Sequence, residues 1–304
     1  MKILRYLLPA TLGLLVATNV GSQDLKATAT DKIEAFKEVK INAYTREFTD
    51  RLSSYVKENF ENNKYLDFNI NTQDYLKPTF SIMSVNEIKK IDSGTIFNQT
   101  SINTHDGDET INIGFGTRKL LNNNTLIVGA NAFYDHQLTE SHERVGVGAE
   151  ALSSMFDVRG NYYNALSGRR TNSGGTIERA MDGWDLRGDY HLPIEQDINL
   201  FFSAFEFENP ESISSYKEKG NKYGADAKLG NFSIEAGYMD DNQANDAWFG
   251  NVKYVVNFGS DESNSSSSSK SFEDVSDQLY QPVKRENKIR VVKIDASGVV
   301  VGGF

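Results

Sequence analysis

Residues 124–166 alternate so regularly between apolar and polar side chains that only strands with two chemically different faces accommodate them. Successive side chains of a strand point to opposite faces. Leu126, Val128, Ala130, Ala132 and Tyr134 therefore share one side, and Gly129, Asn131 and Asp135 the other. A second run sets Val145, Val147, Ala149 and Ala151 against Arg144, Gly146, Gly148 and Glu150. A third sets Phe156, Val158, Gly160 and Tyr162 against Asp157, Arg159 and Asn161. A soluble sandwich produces such alternation too, with its apolar face packed inward and its charged face in water. The surrounding chain favours a membrane barrel.

Period-two patterning runs from Tyr65 to Phe258 and breaks into about twelve segments: 64–72, 78–87, 94–103, 109–121, 124–136, 142–152, 154–166, 183–192, 196–208, 222–229, 231–240 and 247–258. Each is near the roughly 9–11 residues that a tilted membrane strand needs, and the count is even, as in single-chain bacterial barrels. Asn122-Asn123, Ser153, Pro193-Ile194-Glu195 and Gly230 mark tight turns, whereas the intervening connections, such as Ser167 to Asp182 and Asn209 to Asn221, are mostly longer and polar. Short periplasmic turns and longer external loops give that asymmetry. Phe133, Tyr134, Tyr162, Trp184, Tyr190, Tyr238, Trp248 and Phe258 lie near strand ends and are read as interfacial girdles. The fold class expected is an all-β membrane protein, an antiparallel transmembrane barrel of about twelve strands.

The flanks fit export. Residues 1–22 carry Lys2 and Arg5, an apolar core from Tyr6 to Ala17 and small residues ending Val20-Gly21-Ser22, the pattern of a cleaved signal peptide. An uncleaved anchor is the alternative, but the core is shorter than the ~20 residues a spanning helix needs. Mean hydropathy is -0.49, and no other stretch reads as a spanning helix; barrels escape hydropathy because lumenal polar residues dilute every strand. Within 23–63, Asp31 to Asn63 repeats its apolar residues near every 3.6 positions, as one amphipathic periplasmic helix or two. After the barrel, taken as 64–258, residues 259–304 begin with a serine-rich linker, Gly259 to Ser271. There follow a short helix at Phe272 to Leu279, a basic polar run from Gln281 to Arg290, a strand-like Val291 to Ile294 and a small apolar tail.

Twelve charged positions fall on the lumen side of the pattern: Arg118, Arg144, Glu150, Asp157, Arg159, Asp185, Arg187, Asp189, Asp226, Lys228, Glu235 and Lys253. An Arg or Lys on the lipid face at mid-membrane costs ~2–4 kcal/mol, which explains the segregation. Inside a barrel, opposite charges on neighbouring strands can pair with one another and with a threaded chain. The net charge of -10 offers no basic stripe for nucleic acid. With no cysteine, there is no disulfide framework, thiolate metal site or cysteine nucleophile. Asp135, His136, His142 and Glu143 cluster in sequence, yet no second cluster completes a metal or acid–base site. Asp106-Gly107-Asp108-Glu109 reads as a solvated turn rather than a calcium loop. No catalytic, cofactor or metal site is expected, and the chain is not read as an enzyme.

One run is specific enough to suggest a family. Gly129, Asn131, Ala132, Phe133, Tyr134 and Asp135, followed by Leu138, Thr139, His142, Arg144, Gly146, Gly148, Ala149 and Glu150, resemble the signature of the inverse autotransporter β-domain, the translocator of the intimin and invasin adhesins. Leu279 to Ile289, with Arg285, Asn287 and Ile289, is similar to that family's pore linker. The resemblance implies a periplasmic N-terminus, a linker threaded through the lumen and a C-terminus carried to the cell surface. It implies outer-membrane lipids, the barrel-assembly machinery and periplasmic chaperones as partners, with a surface receptor as the further partner of an adhesion role. Family adhesins continue into further domains after the linker, whereas Phe304 follows it closely here. A reduced structural or passive-pore barrel without a passenger is therefore the alternative function.

Overall fold

A computed structural model describes residues 54, 62–73, 78–105, 108–172, 174–194, 196–211, 216–243, 247–257, 273–294 and 300–303. The expected signal peptide, the serine-rich linker and nearly all of the expected helix over 31–63 lie outside the described residues. The chain falls into two units, Met1–Tyr55 and Val56–Phe304, and the sheet structure belongs to the second.

The strands, in chain order, are β1 (Asn63–Gln73), β2 (Thr79–Ile91), β3 (Gly94–His105), β4 (Asp108–Leu121), β5 (Leu126–Gln137), β6 (Glu143–Ser153), β7 (Phe156–Ala165), β8 (Arg170–Thr171), β9 (Ile177–Ala180), β10 (Asp182–His191), β11 (Ile198–Glu208), β12 (Lys217–Leu229), β13 (Phe232–Asp241), β14 (Ala247–Asn257), β15 (Val291–Ile294) and β16 (Val300–Gly303). Twelve of them close into one barrel, in the order β1-β14-β13-β12-β11-β10-β7-β6-β5-β4-β3-β2. Neighbouring strands are antiparallel, and β1 seals the barrel against β14 from Tyr65↔Asn257 to Gln73↔Phe249. The other four form a separate small sheet, β16-β15-β9-β8.

The tight turns of β2–β3, β4–β5, β6–β7 and β12–β13 gather at one end of the barrel, and the connections at the other end are mostly longer, β3–β4 being the short exception. At the short-turn end, Asn122, Asn123 and Asn124 all adopt left-handed backbone conformations, with φ of 51°, 55° and 67°. Among residues with a Cβ, asparagine tolerates that region best, because its short amide can bond locally. The connection between β7 and β10, expected as plain loop, holds β8 and β9. β12 begins at Lys217, five residues before the expected 222. Its first residues are polar on both faces, so hydropathy carries no period there. The expected helix at 272–279 is a 3-10 turn over Ser276–Tyr280.

Exposure is inverted relative to a soluble protein. Trp248 is 63% exposed, Phe115 57% and Val147 56%, while Arg118 and Arg144 are 0% exposed. The charged face of each strand lines the lumen, and the apolar face is turned outward. The described residues contain no helix long and apolar enough to cross a membrane. Phe133 corrects the girdle assignment: it is 4% exposed and packs in the lumen with Tyr65, Val85, Phe97 and Val283. Its parity, shared with Asn131 and Asp135, overrides its place near a strand end. Tyr134, Tyr162, Trp184 and Trp248 are exposed on the outside, and Phe258 lies outside the described residues.

Inward glycines make room for these rings. A Cβ on Gly116 would lie 2.4 Å from Phe97 Cζ, and one on Gly114 2.2 Å from Phe133 Cε1. Replacing Gly116 by valine should displace the Phe97 ring and lower stability by about 1–3 kcal/mol, as overpacking does. Urea unfolding of the refolded barrel in detergent would measure this, and an unchanged midpoint would count against the packing assigned here.

Candidate functional site in the barrel lumen

Residues 273–294 run through the lumen as an irregular strap, and their polar backbone creates a physical problem. Buried N–H and C=O groups need partners, and the strap has no ladder beside it until β15. The lumen wall supplies them from side chains. Arg118 donates to Leu279 O at 2.9 Å and also to Gln281 O. The Gln99 amide both accepts from Val283 N (2.7 Å) and donates to Val283 O (3.3 Å), imitating one rung of a sheet. Asn161 donates to Lys284 O, Arg144 to Glu286 O and Asn112 to Asn287 O. Glu286 N donates to the Tyr163 hydroxyl at 2.8 Å.

Charge pairing overlies this backbone recognition. The Asp135 carboxylate, 0% exposed, receives Arg144 at 2.8 Å from its own wall and Arg285 at 2.7 and 2.9 Å from the strap, with Asn112 at 2.7 Å as a further donor. The Arg285 guanidinium lies over the Phe133 ring, 4.3 Å from its centroid, and Arg144 over Tyr163 at 4.4 Å. Asp135 on β5 thus joins two cations inside an aromatic collar. Further round the wall Lys284 reaches Asp189 on β10 at 3.0 Å and Arg290 pairs with Glu218 on β12, while within the strap Arg290 also meets Glu286 at 3.0 Å. Tyr280 bonds Glu87 near the short-turn end.

The remaining lumenal charges hold the wall together. Arg118 pairs with Glu150 at 2.7 Å, Arg159 with Asp157 (2.8 Å) and Asp189 (2.7 Å), and Arg187 with Asp189 and Glu235 (both 2.8 Å). Asp185 accepts from Asn161 and Tyr163. Asn131 and Asn161 fit only because Gly148 lies between them, where a Cβ would meet their side-chain oxygens at 2.7 and 2.4 Å. Gly129 does the same for Glu150, whose Oε1 would be 2.8 Å away. Asn287 accepts from Arg285 at 3.2 Å, and Ile289 packs with Ala180 and Val291. Lys253 stands apart from the strap, on the wall of a cavity of about 740 Å³ that remains beside it. Lys228 is exposed.

Comparison with known proteins decides what kind of barrel this is. The model of the family described as "Inverse autotransporter, beta-domain" matches residues 15–287. The chain belongs to this family. Relatives include invasin of Yersinia enterocolitica, 32% identical over 103 residues, which are 33% of this chain and 12% of that protein. The inverse autotransporter adhesin YeeJ of Escherichia coli K12 is 32% identical over 100 residues, 32% of this chain and 4% of its own length. Intimin of Escherichia coli O127:H6 is 29% identical over 129 residues, 41% of this chain and 14% of that protein. The matches span from 4% to 43% of the curated relatives' lengths, so this chain corresponds to part of each. A solved structure reported as "Unveiling the Mechanism Behind the in-meso Crystallization of Membrane Proteins" superposes with a TM-score of 0.64 at 19% identity, covering 75% of this chain and 98% of that one. This likeness concerns the fold.

An inverse autotransporter β-domain with an apolar exterior sits in outer-membrane lipid. Within it, Asp135, His136, His142 and Glu143 do not meet at one point, although His136 approaches Glu143 at 3.8 Å. Asp135 faces the lumen, His136 stacks on the outward Tyr134 with ring centroids 6.4 Å apart, and His142 is buried beside Ser167 (3.2 Å). Among the described residues no group of three or more His, Cys, Asp or Glu side chains could hold a metal. Glu178, on β9 outside the membrane strands, faces His142 at 3.8 Å. That imidazole and the Asn172 amide hold its carboxyl below the usual range. Sequence reasoning missed Gln99, Asn112, Tyr163 and Glu218. The first three are uncharged at inward positions, and Glu218 lay in a stretch read as loop.

Proposed function

We propose that this β-domain is a translocator that threads its own C-terminal segment through the lumen to the cell surface, in the service of adhesion. The observation that carries the reading is the strap itself. An extended segment after the barrel meets side-chain donors and acceptors along the whole bore, as a polypeptide in transit requires. In this reading the short-turn end is periplasmic and the long-loop end external, and residues 23–63 stay in the periplasm. Assembly falls to the barrel-assembly machinery with periplasmic chaperones, and a surface receptor is the eventual partner. The lumenal residues Arg118, Arg144, Glu150, Asp157, Arg159, Asp185, Arg187, Asp189 and Lys253 line the path, and Arg285, Asn287 and Ile289 dock the arrested chain. A passive pore is the weaker reading, because the strap occupies the bore with specific bonds.

An epitope fused after Phe304 should be reached by an impermeant label on intact cells expressing the full chain. Complete protection of that epitope, with the barrel inserted, would overturn the translocator reading.

A further inference from the structure

We infer that the hairpin β8–β9 is a template that captures the chain as it leaves the pore and prevents it from sliding back. This rests on the translocator reading and assigns a task to one connection at the long-loop end. The hairpin is held in place by contacts that do not involve the strap. Asn172 closes it, accepting from Gly174 N (3.0 Å) and Thr176 N (2.9 Å) and donating to Glu178 (2.8 Å). Its base is tied to the β6 entry by Leu166 N to Glu143 O (2.9 Å) and Glu143 N to Ser167 Oγ (3.1 Å). Arg169 and Arg179 both approach Glu211 of the next connection, at 2.6 and 3.5 Å. The geometry of β9 is thus set before any partner arrives.

β9 offers the emerging chain its free edge. A strand edge carries unpaired N–H and C=O groups and pairs readily with an extended segment. The pairs are Val291↔Ala180, Val292↔Arg179, Lys293↔Glu178 and Ile294↔Ile177. The Met181 N to Arg290 O bond of 3.0 Å extends this ladder to the residue that still pairs with Glu218 on the lumen wall. Backbone groups therefore pass from lumenal side chains directly to a sheet. Opposite charges at Lys293↔Glu178 favour this register. Val292 is fully buried with Met181, Phe207 and Tyr163, sealing the strand onto the barrel mouth. Once bound, β15 presents its own outer edge, and β16 pairs with it. Each captured strand becomes the template for the next. Backward sliding must break the ladder, whereas outward movement of the unpaired chain does not, so pairing rectifies diffusion through the pore.

The alternation of an antiparallel ladder, fixed by the Met181–Arg290 bond, makes Arg179↔Val292 a pair that exchanges backbone bonds. Arg179→Pro removes the β9 donor, and Arg179→Ala removes only the side chain. In the full chain carrying an epitope after Phe304, pulse-labelled cells should present the epitope about tenfold more slowly with Arg179→Pro than with Arg179→Ala, which loses the same side chain but keeps the backbone donor. Heat-modifiable gel mobility confirms insertion in each case. Val292→Pro removes the reciprocal donor from the strap and should slow presentation similarly; it decides the matter if Arg179→Pro fails to insert. An inserted proline variant presenting its epitope at the wild-type rate would overturn the template. An epitope that stays protected in the unmodified chain would instead overturn the translocator reading.

Discussion

Asp135→Ala is expected to undock the strap while leaving the barrel inserted. The carboxylate is fully buried and holds two guanidiniums, one from the wall and one from the strap. Removing one partner of a buried pair costs about 3–5 kcal/mol, because the remaining charge stays dry and unpaired. Here two like charges would remain, side by side over the same Tyr163 ring, with Arg285 5.3 Å and Arg144 4.4 Å from its centroid. Arg144 is anchored in β6, and the strap is the element able to move. A single cysteine at Val283, the only one in a chain that otherwise has none, would report the change. Its labelling by a small maleimide should accelerate by about two orders of magnitude in the Asp135→Ala background. Asp135→Asn, which keeps an acceptor without the charge, should fall between. Equal protection of the cysteine in all three backgrounds would overturn this, and would mean that the remaining wall contacts, from Gln99 and Arg118 to Lys284–Asp189 and Arg290–Glu218, hold the strap without Asp135.

The barrel was legible in the sequence because each membrane strand reports its two environments residue by residue. Val147 beside Gly148 and Val158 beside Arg159 give the face assignment without any long-range information. Phe133 obeys the same rule: an aromatic ring near a strand end suits an interface, but its parity with Asp135 turns it inward. β9 was not legible. Ile177-Glu178-Arg179-Ala180 is too short to display a period, and its partner lies more than a hundred residues later, at Val291–Ile294. Its strand character comes from the hairpin closed by Asn172, whose side-chain bonds no hydropathy pattern displays. The strap falls between these cases. Arg285 and Asn287 were found through the family resemblance, whereas Gln99 and Asn112, which bind the strap backbone, bear no charge to separate them from other inward polar residues.

The face assignment has a sharp consequence at Val147. This residue lies in the middle of β6, is 56% exposed on the outer surface, and is flanked by Ala132 on β5 and Tyr162 on β7. An arginine there must place its guanidinium in hydrocarbon, at ~2–4 kcal/mol near the midplane, and its cross-strand neighbours Ala132 and Tyr162 give it no carboxylate. Arg159→Ala alters the same belt from the inside. It leaves Asp157 and Asp189 short of one cation, but His191 lies 3.3 Å from Asp157, and Arg187 and Lys284 remain within 3.0 Å of Asp189. The lumenal loss is shared among remaining partners, whereas the lipid-facing charge has no counter-charge across either strand. Val147→Arg should therefore reduce the heat-modifiable, membrane-inserted fraction far more than Arg159→Ala, with Val147→Leu close to wild type. Equal reductions by the two charge-changing variants would mean that the outer face of β6 does not meet lipid.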